Sequence, residues 1–228
     1  MKIALCISGH LRKFEQTFSS LNEFFIKRYN VDIFIHTWDK LGFNCQYKSD
    51  LTLDSTTSKS AHINNLYNPK KIIIESSSFI EHLKNEANSY APHLKYCPKH
   101  PGHMASMFYK IYACNELRKK YELETGINYD LVVRCRSDLM IQNYIRLPNK
   151  YVANKVWIPK SISSQGWYTD QFAIGGPNEM DLYSSAYFDL PEYFLNKKEY
   201  YPEKFLAWSF AKKDLSIIPH DINFFILR

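Results

Sequence analysis

Tyr129-Asp130-Leu131-Val132-Val133-Arg134-Cys135-Arg136-Ser137-Asp138-Leu139 opens as an apolar strand and closes in charge. Side chains alternate faces along a strand, so Val132, Arg134, Arg136 and Asp138 are expected on one face. Two guanidinium groups and one carboxylate then converge where the strand leaves the sheet. In open α/β sheets that edge is where ligands sit. Paired guanidiniums suit a phosphate or diphosphate, and a carboxylate suits a metal ion or a sugar hydroxyl.

Upstream of this strand the pattern alternates strand and helix. Lys2 to Ser8 reads as a strand, Ser8-Gly9-His10 as a turn, and Phe14 to Arg28 as an amphipathic helix. Val31 to His36 is a second strand, ending in His36-Thr37-Trp38-Asp39, and Lys71 to Glu75 is a third. Between them, Gly42 to Asn65 is polar, without a clear period, and reads as a loop or insert. Two βα units followed by a strand imply a parallel sheet. Ser78 to Ser89 reads as a helix, Pro92 to Gly102 is irregular, and His103 to Glu124 is a long helix stopped by Gly126. Its apolar stripe is Met104, Met107, Phe108, Ile111 and Tyr112, with His103, Ser106 and Lys110 opposite.

Downstream, short strands are expected near Lys155 to Ile158, Gln171 to Gly175 and Leu215 to Ile218, with a polar loop from Ser161 to Gly166. Pro177 to Phe188 and Pro202 to Lys212 are helices, the first with Pro at its first position. The expected architecture is one α/β domain across 1–228, a mostly parallel sheet flanked by helices, with a helical portion at about 177–213.

Composition narrows the class. The 228 residues are 45% hydrophobic and 16% aromatic, enough for a sizeable core, and seven glycines exclude a collagen-like chain. The aromatic content suits stacking surfaces, or reflects a bias toward Tyr, Phe, Asn, Lys and Ile. Five cysteines, with no close pair, support neither a zinc ribbon nor a disulfide framework. Cys6 and Cys135 fall in apolar strands and read as small buried residues. A reducing, cytoplasmic location is the expectation. The first residues read as a strand, not a signal peptide, and no run reaches transmembrane length. The net charge of +6 is spread along the chain, which argues against nucleic acid as a partner.

Taken in order, Ile7-Ser8-Gly9-His10-Leu11-Arg12, residues 32–39 (Asp-Ile-Phe-Ile-His-Thr-Trp-Asp), 107–112 (Met-Phe-Tyr-Lys-Ile-Tyr), 129–138 and 170–175 (Asp-Gln-Phe-Ala-Ile-Gly) resemble small bacterial and viral glycosyltransferases of surface-polysaccharide gene clusters. The resemblance implies a GT-A-like (Rossmann-like) fold. It also implies transfer of a sugar from a nucleotide-sugar donor to an oligosaccharide or lipid-linked glycan acceptor. Peripheral association with the inner face of a membrane goes with such an acceptor. GT-A enzymes hold a divalent metal, Mn or Mg, on an Asp-x-Asp motif. Here the matching residues are Arg136-Ser137-Asp138, so only the last carboxylate is present. Two alternatives stay open: Asp138 coordinates a metal with help from His220, or Arg134 and Arg136 take over its charge-neutralising role.

Each candidate carries a structural alternative. Asp138 is catalytic or caps a turn. Arg134 and Arg136 bind phosphate or form internal ion pairs. Gly9 lets a ligand approach the backbone, and Arg12, one turn on, reaches a phosphate. Trp38 and His36 border the nucleotide or fill the core, and Asp39 contacts the nucleotide or caps the next element. Lys110, with His103 and Ser106, is by resemblance a donor-binding cation or part of a solvated face. Asp170, beside Gln171, is by resemblance near donor or acceptor, where a carboxylate suits a general base or orients the donor sugar, or else it caps a turn. His220 is, by the same resemblance, a metal ligand or a structural histidine. A catalytically degenerate carbohydrate-binding protein and a sugar nucleotidyltransferase remain as rivals. The latter is disfavoured by the single glycine after the first strand.

Overall fold

The computed structural model describes residues 1–42, 58–95, 100–159, 168–197 and 199–227. Seven strands form the central sheet: β1 (Lys2–Ser8), β2 (Asn30–Trp38), β3 (Lys71–Glu75), β4 (Leu131–Cys135), β6 (Lys155–Pro159), β7 (Phe172–Gly175) and β8 (Ser216–His220). Their order is β3-β2-β1-β4-β7-β6-β8. The first four are mutually parallel, β7 runs antiparallel to both neighbours, and β6 and β8 pair in parallel. A two-stranded ribbon, β5 (Leu139–Ile141) with β9 (Phe224–Ile226), lies apart from the sheet. The expected α/β class with a mostly parallel, helix-flanked sheet is the observed one.

Strand alternation sorts the core into two layers. Ile3, Leu5, Ile7, Val133 and Cys135 face one side and pack on α1 (Phe14–Phe24). Ala4, Cys6, Phe34, Val132 and Ala173 face the other, under α4 (Pro101–Thr125). At roughly 25 cal/mol per Å² of apolar surface removed from water, such two-sided burial is the main force holding the strands in register.

α4 is delimited by chemistry visible in the sequence. Pro101 occupies its first turn, the His100 ring Nδ1 accepts from Gly102 N at 2.9 Å, and Gly126 takes a left-handed conformation at its end. Gly102 is required by packing, since a Cβ there would lie 2.6 Å from the Lys84 Cα of α3 (Phe79–Tyr90). After β7 come α5 (Pro177–Ser184), α6 (Leu190–Lys197) and α7 (Pro202–Lys212), with a 3-10 turn over Ser185–Asp189. They join the α4 side of the core through contacts such as Phe108 with Phe205, ring centroids 4.7 Å apart.

Two expectations need correction. Part of the supposed loop 42–65 is helical: α2 spans Ser58–Tyr67 and buries Ile63 and Tyr67, the latter edge-on to Phe18. The rest of that loop, 43–57, and the loop 161–166 lie outside the described residues, as do Cys45 and Cys97. The charged strand also stops sooner than expected. Pairing ends at Cys135, and Arg136-Ser137-Asp138 form a turn into β5. Among the described residues no helix is long and apolar enough to cross a membrane.

Candidate active site

The sheet reverses direction of growth between β1 and β4, with β2 and β3 on one side and β7 on the other. At such a switch point the turns leaving neighbouring strands diverge and open a crevice. A cleft of about 180 Å³ lies there. Its floor comes from strand ends and the residues that follow them: Ser8 of β1 with Gly9 after it, Trp38 of β2, and Arg134 of β4 with Arg136 just beyond it. Arg12 closes one side, and His103, Ser106 and Met107 of α4 the other.

Arg134 is the feature that defines the cleft's chemistry. In register it lies between Cys6 of β1 and Ala173 of β7, two small residues that leave room on the sheet face. Its side chain is 2% exposed, and its Nε and Nη1 find no hydrogen-bond partner among the described residues. The Ser8 hydroxyl, buried at the same cleft, is in the same condition. A buried ion without a partner costs several kcal/mol, so these donors mark a place for an anion.

Arg136 is held differently. Its Nε and Nη2 donate to the two oxygens of Asp138 at 2.9 and 2.6 Å, a bidentate fork in which both carboxylate oxygens are used. Although burial disfavours the guanidinium's charge, Asp138 and then Asp170 hold its pKa above the ordinary arginine value. Asp138 therefore meets Arg136 through the turn, not through strand alternation. That turn is stitched to the one after β1: Ser137 Oγ donates to the His10 carbonyl at 2.9 Å, and Thr17 Oγ1 donates to the Ser137 carbonyl.

Gly9 lines the cleft in a backbone geometry that favours glycine. Its φ of +104° is a conformation that side chains resist, and its N–H donates to the His36 carbonyl at 3.2 Å. Asp170 and Gln171 enter β7 beside the exit of β4, where Arg136 N donates to the Gln171 carbonyl at 3.2 Å. Asp170 is buried and within electrostatic reach of Arg136. Tyr183 of α5, which the sequence did not single out, lies within reach of Arg134 and Asp170. Its buried hydroxyl has no partner among the described residues, and burial pushes its pKa up to about 12. Ser8 was likewise missed as a site residue, although it shares the strand parity of Ala4 and Cys6.

Three candidates fall elsewhere. Lys110 is fully buried and does not line this cleft. Its ammonium donates to Glu75 Oε2 at 2.7 Å, to the Thr37 carbonyl at 3.1 Å and to His36 Nδ1 at 3.1 Å, and sits 3.4 Å from the centroid of the Trp38 ring. Burial lowers its pKa to about 8 against the opposing pull of Glu75. Asp39 caps the β3–α3 turn, Oδ1 accepting from Ser77 N at 2.8 Å, and takes no part in lining the cleft. His220 is structural: Nε2 meets the Arg146 carbonyl at 2.7 Å, and Nδ1 accepts from Ile222 N at 3.0 Å.

These contacts decide the fit of a divalent metal. Both ring nitrogens of His220 and both oxygens of Asp138 are taken by protein partners. Among the described residues no three His, Cys, Asp or Glu side chains are grouped to hold a cation. The donor set does not fit the expected Mn or Mg site on Asp138 and His220.

The fold and cleft thus define an α/β protein with an anion-receptive crevice at a switch point. The chain belongs to the family described as a domain of unknown function (DUF7796), whose model matches residues 1–188. It is also similar to the apo-form glycosyltransferase GlyE of Streptococcus pneumoniae TIGR4, with 10% identity and a TM-score of 0.48. That match covers 95% of this chain and 44% of the other, so the chain spans less than half of its length. No curated protein matches.

Proposed function

We propose that this protein is a glycosyltransferase that takes a sugar from a nucleotide-diphosphate donor and passes it to a glycan acceptor. The observation that carries the reading is Arg134, a buried guanidinium at a sheet-edge cleft with Nε and Nη1 lacking a partner among the described residues. In the transfer, the acceptor oxygen bonds to the anomeric carbon as the bond from that carbon to the diphosphate oxygen breaks. The bonding pair leaves with the diphosphate, where Arg134 meets the growing negative charge in a site of low polarisability. The acceptor's hydroxyl proton passes to a base, and Asp170, a buried carboxylate within electrostatic reach of Arg136, has chemistry suited to that role. Asp170 serves equally to orient the donor sugar where configuration is retained. The ordered motifs extend the proposal to surface-polysaccharide synthesis, with an oligosaccharide or lipid-linked acceptor met at the inner membrane face.

The test is a calorimetric titration with a panel of nucleoside diphosphates and nucleotide sugars, followed by release of nucleoside diphosphate in the presence of glycan acceptors. Micromolar binding of one nucleotide class supports the proposal. Absence of binding by every nucleotide refutes it. Binding of glycans without acceptor-dependent release favours the carbohydrate-binding rival, for which the missing first carboxylate speaks.

A further inference from the structure

Among the described residues no group of ligands fits a metal at the cleft, while Arg134 there has guanidinium N–H groups without an acceptor. A diphosphate carries two or more negative charges, and leaving a dry cleft with them requires a counter-charge. The Arg136–Asp138 fork is electrically closed, one positive group against one negative, with every carboxylate lone-pair direction toward Arg136 in use. Asp138 has an almost wholly buried side chain, and its own carbonyl accepts from Leu227 N at 2.9 Å, so the fork is also fixed in place. Arg134 is the opposite case. It sits one residue pair back along β4, on the same cleft, and Nε and Nη1 lack acceptors among the described residues. Ser8 adds a hydroxyl donor on the adjacent strand.

Resting on the reading that this cleft takes a diphosphate, we infer that Arg134 and Ser8 grip that group directly, without a bridging divalent cation, and that Asp138 is a positioning residue for Arg136 instead of a metal ligand. A guanidinium is suited to this because its planar array of N–H donors meets two phosphate oxygens at once. Asp138 fixes the plane of Arg136 at the cleft wall and cancels its charge, so the diphosphate sees Arg134 as the uncompensated cation of the β4 edge. Asp138→Asn should release that cancellation. The variant keeps the shape of the turn while exposing the full charge of Arg136 to the cleft.

The experiment is a calorimetric titration of the full chain with inorganic pyrophosphate and with UDP, GDP, CDP and ADP, in excess EDTA and again with excess MnCl2 or MgCl2. The expected result is binding in EDTA with an affinity within about threefold of that with metal, a difference well under the 1.4 kcal/mol of a decade. Arg134→Met should weaken pyrophosphate by roughly ten- to a hundredfold, the worth of a charge-assisted hydrogen bond, with Arg134→Lys intermediate. Asp138→Asn should bind pyrophosphate in EDTA more tightly than the wild type, an outcome a merely structural role does not produce. Binding that appears only with Mn or Mg overturns the inference and leaves the transferase reading standing. So does an Asp138→Asn variant that has lost a metal-dependent affinity. Failure of pyrophosphate and all four nucleotides under both conditions removes the transferase reading, and this inference with it. The comparison of EDTA with metal uses the wild-type chain, so it decides even if a variant folds poorly.

Discussion

Acidification should destabilise this protein through His36. The imidazole is 5% exposed, and its Nδ1 takes a hydrogen bond from Lys110 at 3.1 Å, with Glu75 on the far side of that ammonium. Burial, reinforced by the Lys110 charge, lowers its pKa from 6.5 to about 3. The unfolded chain therefore takes up this proton near pH 6.5, and the folded chain only near pH 3. Between the two the unfolded state holds more protons, so stability falls as pH falls. The contribution is complete above about pH 6.5 and disappears progressively toward pH 3. Each unit of difference corresponds to about 1.4 kcal/mol, giving roughly 2 kcal/mol by pH 5 and at most 4–5 kcal/mol over the window. Against a total of about 5–15 kcal/mol, either is a large share. Urea unfolding of the wild type and of His36→Asn, at about pH 7.5 and pH 5, measures it. Asparagine keeps an acceptor for Lys110 but does not titrate. The wild type should lose roughly 2 kcal/mol more than the variant on acidification. An equal loss in both would refute the argument, because the other titrating groups are common to the pair.

Three further outcomes are expected. Lys110→Met should cost roughly 2–4 kcal/mol in chemical denaturation, because Glu75 and the Thr37 carbonyl lose their donor, and adding Glu75→Gln should recover most of it. Gly9→Ala should cost about 1 kcal/mol from backbone strain alone, since a Cβ there meets nothing within 4 Å; thermal unfolding should register it as a drop of about 2–4 °C. Asp39→Ala should cost about 1 kcal/mol through loss of its bond to Ser77 while leaving pyrophosphate affinity unchanged, and a weakened affinity would contradict its placement as a cap.

The strands and most helices were legible because their signals are local. Short apolar runs marked β1 and β3, and Pro202 with the apolar run behind it bounded α7 at Pro202–Lys212. The charged stretch after β4 was legible in part: Arg134 and Arg136 line the cleft, whereas Asp138 meets Arg136 through a turn that strand alternation does not foresee. What escaped depends on partners distant in sequence. Lys110 reads as surface in its own helix, yet that helix crosses the ends of β2 and β3, where Thr37 and Glu75 receive the ammonium. α2 escaped because only Ile63 and Tyr67 mark its buried stripe, too few to set a period. His220 looks like a ligand until the carbonyl of Arg146 and the amide of Ile222 occupy its ring. Nothing local marks Tyr183, whose relation to Arg134 and Asp170 exists only after folding.

The reversed course of β7 has a consequence for how such a scaffold can diversify. Parallel neighbours offer one rim only their outgoing turns, whereas β7 brings an incoming segment, Thr169-Asp170-Gln171, to that rim. Under the proposed transfer, departing-group chemistry and recipient chemistry fall to separate stretches of polypeptide. Either stretch can be rewritten by mutation or recombination without redrafting the other.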